Sequence, residues 1–385
     1  MKSTFSSPLA SGKPHYELLD GLRGVAALAV IWFHFSEGFS REAVFPFAAH
    51  GFLAVDFFFI LSGFVIGYAY DDRWGKGLTM KDFAKRRLIR LHPLVVFAVL
   101  LGAVSYLLQG SVTWQGEHVP LWRVGLATLT SLFMIPAWPG ASTEVRGFDE
   151  MFPLNGPMWS LFFEYIGNLL YALLLRRLST RFLGAVVVLA AGGLVAVGLL
   201  NPDGAGNLGG GWSLGGCGFL YGLLRMMFAY SMGLWLARIH RPRHIRYAFA
   251  ISALALIALL AVPRFASGYE PVPVLPYQLV VVIVLFPLLV WVGANGTPGT
   301  GGSSRICRFL GDISYPLYII QYPFMYLLYA YLWRKPDTYV PLSEEWPLVL
   351  GLFVGLIVLA YVVFKCYDEP VRRWLTRLAR GGNAK

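Results

Sequence analysis

Apolar segments long enough to cross a bilayer recur along the whole chain, separated by shorter polar stretches. A transmembrane helix needs roughly 20 mainly apolar residues. We predict spans at residues 19–38, 51–70, 88–108, 157–175, 182–200, 219–237, 247–263, 276–293, 309–331 and 346–365. The pattern therefore predicts an all-α polytopic membrane protein of about ten transmembrane helices, with residues 1–385 as one transmembrane domain.

The segment 121–136 is also apolar, but it is short and contains Arg123. If it is not a span and the N-terminus is cytoplasmic, most of the 32 Lys and Arg residues fall in cytoplasmic segments, as the positive-inside rule requires. Counting it as a span would place the basic stretches 176–181 and 238–246 outside. We therefore predict a re-entrant or surface helix at 121–136, and both termini in the cytoplasm.

Composition agrees with a membrane protein, since 57% of residues are hydrophobic and only 14% are charged. The formal net charge of +11 follows from the topology, so binding to nucleic acid is not predicted. Cys217, Cys307 and Cys366 lack metal-ligand or redox spacing, and no metal site is predicted. The polar N-terminus runs into a full-length span, so we expect no cleaved signal peptide. We also expect no appended soluble domain.

The first span carries Arg23 and, eleven residues later, His34. Eleven residues turn a helix by about 1,100°, so the two side chains share one face about 16 Å apart. An ionisable residue inside a span is costly to bury and indicates a functional site by default. His34, near the outer end, is a candidate for proton transfer. A histidine that only packs between helices is the alternative.

Asp56, Glu164 and Arg225 lie on three other spans at a depth similar to that of His34. The rise per residue predicts that all four occupy a layer of about 5 Å. Because an unpaired buried charge costs several kcal/mol, we expect them to pair around a polar cavity. Glu164 is expected to orient His34, and Ser160, one turn earlier, to donate a hydrogen bond. For Asp56 and Arg225, an equal alternative is that they are members of structural ion pairs or lie at the membrane interface.

The predicted loop between the second and third spans, read on to residue 93, is basic: residues 81–93 contain Arg86, Arg87 and Arg90. Their i,i+3 and i,i+4 spacings gather the side chains at one helix end. The planar fork of donors on arginine suits phosphate, so these residues and Arg23 are candidates to bind an anionic cofactor or lipid headgroup. The positive-inside rule alone also explains a basic segment here.

Six short elements follow one another along the chain in an order that resembles the acyltransferase-3 family of integral membrane proteins. They are Leu19-Asp20-Gly21-Leu22-Arg23-Gly24 with His34, Val55 to Phe64, Arg87-x-x-Arg90 with Pro93, Pro157 to Glu164, Gly311 to Tyr318, and Glu369-Pro370. The resemblance covers nearly the whole chain. Two positions depart from it: Tyr165 stands where members often have Glu, and Gln321 where many have His, so no role is assigned to Gln321.

The resemblance implies O-acylation, most often O-acetylation, of a carbohydrate or another exported hydroxyl acceptor. The implied donor is cytoplasmic acetyl-coenzyme A, and the implied location is the inner (cytoplasmic) membrane. On this chain the predicted catalytic residues are His34 as general base, Glu164, Ser160 and Asp56, and the predicted coenzyme-A-binding residues are Arg23, Arg86, Arg87 and Arg90.

Two other classes of function stay open from the sequence. A transporter or flippase for a polar or anionic solute also needs charged residues within the bundle, although the chain shows no inverted repeat. An inactive scaffold in glycan assembly is the third alternative. The sequence does not identify the acceptor or distinguish acetyl from another short acyl group. It also leaves open whether transfer is direct or passes through acyl-His34, and what the oligomeric state is.

Overall fold

The structure is a computed structural model that describes residues 15–39, 48–202, 204, 206–263, 273–296, 302–333 and 340–381. Within these ranges the regular secondary structure is helical, and the only β-type pairings are isolated bridges. The α-helices are α1 (Glu17–Gly38), α2 (Ala54–Tyr70), α3 (Met80–Leu108), α4 (Leu121–Leu132), α5 (Met158–Leu173), α6 (Thr180–Leu200), α7 (Gly218–Ile239), α8 (Ala248–Leu260), α9 (Val274–Val280), α10 (Phe286–Ala294), α11 (Gly302–Ile320), α12 (Tyr322–Leu332), α13 (Leu342–Val363) and α14 (Glu369–Gly381).

Eight helical segments in the described residues are long and apolar enough to cross a membrane. Two of them are joined pairs, because single π-helical turns connect α9 to α10 and α13 to α14. The apolar helix α8 is shorter, with 13 residues. The ninth predicted span corresponds to α11 and α12, which meet at Gln321. Each predicted span thus coincides with a helix or a joined pair, which confirms the all-α polytopic fold.

Helices extend well beyond the predicted spans in three places: at the start of α3, at the start of α11, and after α13. α3 begins at Met80 rather than at residue 88, so the basic stretch is helical and not a loop. The hydroxyl of Thr79 caps this helix by accepting a hydrogen bond from the Asp82 backbone N–H. After α13 the chain continues as α14. Hydropathy detects only the apolar part of a helix, whereas capping residues set its ends. The composition of residues 293–304 also predicts a flexible linker, of which residues 297–301 lie outside the described residues; 293–294 belong to α10 and 302–304 to α11.

The segment predicted as a re-entrant or surface helix forms α4, which has 12 residues. A helix of that length measures about 18 Å, too short to span a hydrocarbon core of about 30 Å. Val124 and Ala127 are buried on one face, while Trp122 and Leu129 are exposed on the other. This arrangement is typical of a helix that lies at the membrane surface.

A pair of parallel helical rods crosses the centre of the bundle. α1 packs along α11 and α12 over its whole length, with Gly24 beside Leu310 near one end and Gly38 beside Leu332 at the other. A Cβ atom on Gly24 would lie 2.5 Å from the Leu310 backbone oxygen. Small residues allow this close approach. In a bilayer the resulting van der Waals packing stabilises helix association, because lipid tails leave no hydrophobic driving force between helices.

α2 and α7 form a second parallel pair that depends on glycine. A Cβ atom added to Gly63 would lie 2.0 Å from the carbonyl oxygen of Tyr230, and one added to Gly233 would lie 2.0 Å from that of Ile60. The two backbones are therefore in contact at both glycines. This contact holds Asp56 of α2 level with Arg225 of α7.

We expect Gly63→Ala to destabilise the protein because the new methyl group meets backbone that has no room to move. Overpacking costs typically about 1–3 kcal/mol. The measurement is the thermal midpoint of the purified protein in detergent. The matched control is Gly351→Ala on α13, where an added Cβ has nothing within 4 Å. This control should be neutral or stabilising, by up to about 1 kcal/mol, because alanine favours helix. Equal midpoints for the two variants would contradict the close crossing.

Candidate functional site

The two ends of α1 mark the two ends of the bundle. The Arg23 end is where α1 begins, and the His34 end is where it finishes. Polar side chains gather near both ends, and a third set lies between α2 and α7. Each set is built from residues on different helices, so the packing of the bundle determines which of them meet.

At the His34 end, the imidazole pairs with a carboxylate on its own helix. Nδ1 of His34 lies 2.5 Å from the carboxylate of Glu37, one turn later. The hydroxyl of Tyr329 on α12 donates to the backbone carbonyl of His34 at 2.7 Å and to Glu37 at 3.2 Å. Tyr322 packs edge-on against the imidazole, with ring centroids 4.6 Å apart. A carboxylate on Nδ1 favours the tautomer with the proton there, leaving Nε2 as the proton acceptor.

Glu164 does not take the position that we predicted for it. Its carboxylate forms an ion pair with Arg87 at 2.8 Å and accepts a hydrogen bond from Ser62 at 2.8 Å. Arg87 also donates to the side-chain oxygen of Asn168 at 3.1 Å. The carboxylate beside His34 is therefore Glu37. A buried carboxylate pairs with the guanidinium in reach, and Arg87 extends into the bundle to meet Glu164.

Ser160 connects α5 to α11. Its hydroxyl donates to the Pro157 carbonyl at 3.0 Å and lies 2.7 Å from the hydroxyl of Tyr318. Tyr318 in turn packs against Phe58 of α2. None of the described hydrogen bonds of Ser160 involves His34.

Asp56 and Arg225, two members of the predicted polar layer, meet in an ion pair. Arg225 donates from Nη2 at 2.7 Å and from Nε at 3.0 Å to the Asp56 carboxylate. The two side chains are 0% and 1% exposed. Arg225 also donates to the backbone carbonyls of Gly210 and Phe52. The pair is closed by protein partners on both sides, a geometry typical of a structural ion pair.

The predicted polar layer is therefore divided into separate pairs. Depth along the sequence was a fair guide to Asp56 and Arg225, but it did not indicate which way Glu164 faces. Glu37 was missed because it stands at the end of the apolar run, although its i,i+3 spacing from His34 was a usable signal. The stripe of Tyr322, Tyr326 and Tyr329 on α12 was also missed.

At the Arg23 end, two of the four predicted phosphate-binding arginines lie near one carboxylate. Arg23 forms an ion pair with Asp20 at 2.9 Å. Asp20 also binds His15 at 3.0 Å, and this hydrogen bond raises the pKa of His15. Arg90 lies within electrostatic range of Asp20, and its guanidinium is 5.9 Å from the ring of Tyr315.

The four arginines differ in how many of their N–H donors already bind protein partners. Arg87 is committed to Glu164 and Asn168, and Arg86 is exposed. Among the described residues, no hydrogen bond or ion pair engages the guanidinium of Arg90. The same holds for Arg86, so both keep their donors for an anion, and Arg90 is the less exposed of the two. Within the described ranges, no three His, Cys, Asp or Glu side chains converge to hold a metal ion.

The loop between α4 and α5 closes over the His34 end. The buried guanidinium of Arg146 lies 3.5 Å from the ring centre of Tyr326, and Tyr326 donates to the carboxylate of Glu150 at 2.7 Å. Burial raises the pKa of Glu150 to about 7. These contacts hold the loop against α12, close to the tyrosines that pack on His34.

Comparison with known proteins gives one family and several relatives. The family described as an acyltransferase domain matches residues 16–365. Protein 2 in picA locus of Rhizobium radiobacter is 36% identical over 162 residues, covering 40% of this chain and 80% of that protein. Acyltransferase MdmB of Streptomyces mycarofaciens is 26% identical over 383 residues, covering 93% of this chain and 92% of the relative.

Peptidoglycan O-acetyltransferase OatA of Listeria monocytogenes is 25% identical over 379 residues, which cover 92% of this chain. This chain spans about half of that relative's length, 55%. No solved structure matches. The bundle of apolar helices and a match that extends over most of them show that the chain belongs to the acyltransferase-3 family of membrane O-acyltransferases.

Proposed function

We propose that this protein transfers an acetyl group from cytoplasmic acetyl-coenzyme A to a hydroxyl of an exported glycan or similar acceptor. The observation that carries the proposal is the His34–Glu37 pair, with Nδ1 and the carboxylate 2.5 Å apart. It stands at the opposite end of α1 from Arg23, and Arg90 lies near that second end. A base at one end and anion-binding groups at the other suit transfer across a bilayer.

The proposed orientation places the Arg23 end in the cytoplasm and the His34 end outside, with both termini cytoplasmic. The Arg23 end also carries Lys85, Arg86 and Arg181, and the positive-inside rule favours this side for the cytoplasm. Because acetyl-coenzyme A is made inside the cell and the acceptor is exported, the inner membrane is the proposed location.

Arg23 and Arg90 are the proposed ligands of the coenzyme A phosphates. Arginine binds phosphate through two parallel N–H donors, and Arg90 retains its donors. Coenzyme A carries its thioester on a long thin arm. Arg23 and His34 are about 16 Å apart along the helix. A long thin arm could cover this distance between the phosphates and the thioester. Burial of the thioester within the bundle also excludes water that would hydrolyse it.

In the proposed reaction, Nε2 of His34 removes the proton from the acceptor hydroxyl as its oxygen attacks the thioester carbonyl carbon. A C–O bond forms and the carbonyl π electrons move to oxygen, giving a tetrahedral oxyanion. The oxyanion collapses, the C–S bond breaks, and the thiolate of coenzyme A receives the proton from His34. Glu37, held by Tyr329, stabilises the imidazolium between these steps.

We expect His34→Ala to lower acyl transfer by about 10²–10⁴-fold, the usual contribution of a general base. Glu37→Gln should cause a smaller loss, because the amide no longer stabilises the imidazolium. The measurement is the O-acetyl content of exported glycans by NMR, in a host that lacks its own copy of the gene. Glu344→Gln, an exposed carboxylate in the first turn of α13, is the control and should match wild type. Substantial transfer by His34→Ala at normal expression would refute this role.

Arg90→Gln should raise the KM for acetyl-coenzyme A by about ten- to a hundredfold, since a charge-assisted hydrogen bond contributes about 1.5–3 kcal/mol. The value of kcat should change little, because the phosphates are remote from the reacting carbonyl. The assay is transfer from radiolabelled acetyl-coenzyme A by protein in proteoliposomes. Arg181→Gln, an exposed arginine, is the control. A lower kcat at unchanged KM would contradict a phosphate-binding role.

For Asp56 we propose a structural role in place of a catalytic one. Asp56→Ala leaves Arg225 buried without its partner, which costs about 3–5 kcal/mol. We therefore expect a low yield of folded protein and a lower thermal midpoint. The double variant Asp56→Leu with Arg225→Met should recover part of both, because no buried charge remains. A normally folded but inactive Asp56→Ala protein would contradict the structural role and support a catalytic role for Asp56.

A further inference from the structure

The rod formed by α11 and α12 is interrupted at Gln321, inside the bundle. The side chain of Gln321 is 0% exposed. Neither its amide nitrogen nor its amide oxygen has a hydrogen-bond partner among the described residues. A buried amide without partners is unfavourable, and buried polar side chains are nearly always satisfied. The position therefore requires an explanation beyond packing.

The backbone around this break is, by contrast, satisfied. Pro323 has no N–H, so the carbonyl of Ile319, four residues earlier, loses its helical donor. The amide of Asn155 supplies one in its place, at 2.7 Å. The hydroxyl of Ser105 on α3 donates to the carbonyl of Pro323 at 2.7 Å. Asn155 and Ser105 thus stabilise the interruption from other parts of the chain, whereas both polar atoms of the Gln321 side chain and the side-chain oxygen of Asn155 have no partner among the described residues.

The neighbours of Gln321 belong to the site described above. Tyr318, almost one turn earlier, lies 2.7 Å from the Ser160 hydroxyl. Tyr322, the next residue, packs on the imidazole of His34 and lies against Gly156. Irregular backbone at membrane depth is tolerated where it is buried in protein or lines a cavity. The interruption therefore places an uncommitted amide one residue before a ring that packs on the imidazole of His34.

We propose that the amide N–H of Gln321 is the donor that stabilises the acyl carbonyl oxygen during transfer. This inference rests on the proposed function. As the acceptor oxygen attacks and His34 takes its proton, the carbonyl π electrons move to the oxygen, and Gln321 donates a hydrogen bond to the charge formed there. When the C–S bond breaks, the carbonyl reforms and the thiolate receives the proton from His34. The amide itself neither gains nor loses a proton.

A neutral amide suits this task in a membrane. It provides a donor without adding a further charge next to those of His34 and Glu37. Donors already in place where negative charge develops are among the largest contributions to catalysis, because they need no reorganisation during the reaction. The unfavourable burial of an unpaired amide is then relieved only when the acyl group is bound.

The test is Gln321→Met, which keeps the side-chain length and removes the donor. We expect kcat for transfer from acetyl-coenzyme A to fall by about 10²–10³-fold, as for loss of one oxyanion donor. KM for acetyl-coenzyme A should change little. The thermal midpoint should stay equal or rise, because an unpaired buried amide has been removed. Gln321→His keeps an N–H donor and should retain part of the activity.

The matched control is Gln278→Met. Gln278 is also 0% exposed, but its amide oxygen accepts from the Leu208 backbone N–H at 2.7 Å and its nitrogen lies 3.2 Å from His50. Losing these bonds should lower the thermal midpoint while the folded protein keeps its kcat. Loss of activity at equal or higher stability is therefore specific to Gln321.

Three results would overturn the inference: an unchanged kcat in Gln321→Met, a rise in KM alone, or a lower midpoint with normal kcat in the folded fraction. Failure of the proposed function is distinguishable from these. If wild type moves no label from acetyl-coenzyme A, the proposed reaction itself is wrong. If His34→Ala abolishes transfer and Gln321→Met does not, only the role of Gln321 is wrong.

Discussion

An ionised side chain inside a bilayer is stable only beside a partner, and this constraint organises the bundle. Asp56 with Arg225 joins α2 to α7, and Glu164 with Arg87 joins α5 to α3. His34 pairs within α1, where Tyr329 of α12 holds its partner Glu37. Two of these pairs bridge helices and give the bundle its register. Arg90 and Gln321 lack such partners in the described residues, and both are assigned ligands; Arg23, which is paired with Asp20, is assigned one as well.

Hydropathy was sufficient to predict the fold because the bilayer leaves the backbone few choices. A chain that crosses hydrocarbon must satisfy its backbone hydrogen bonds within each segment, so apolar length alone predicts helices. The ends of α3 and α14 were not predictable in this way, since they lie beyond the apolar runs. The interruption at Gln321 was not predicted either, because it depends on donors from Asn155 and Ser105, which are distant in sequence.

Prediction of the site was less complete, for a geometric reason. Position along a span gives depth, but each residue turns the helix by about 100°, so the partner depends on how neighbouring helices are rotated. Asp56 and Arg225 were placed at the same depth, and they meet because α2 and α7 touch at that level. Glu164 was assigned to His34 from depth, yet it faces Arg87. Local spacing was the better guide to Glu37, which lies on the same helix as its partner.

Transfer from one side of the membrane to the other is the central claim, and a sided assay tests it most directly. Vesicles with their cytoplasmic face outward, containing wild-type protein and enclosed acceptor glycan, would receive radiolabelled acetyl-coenzyme A from outside. We expect label to accumulate as an alkali-labile ester on the enclosed glycan, and to be absent with His34→Ala. Label on the enclosed glycan at equal rates in both proteins, or on acceptor supplied only at the outer face, would contradict this mechanism.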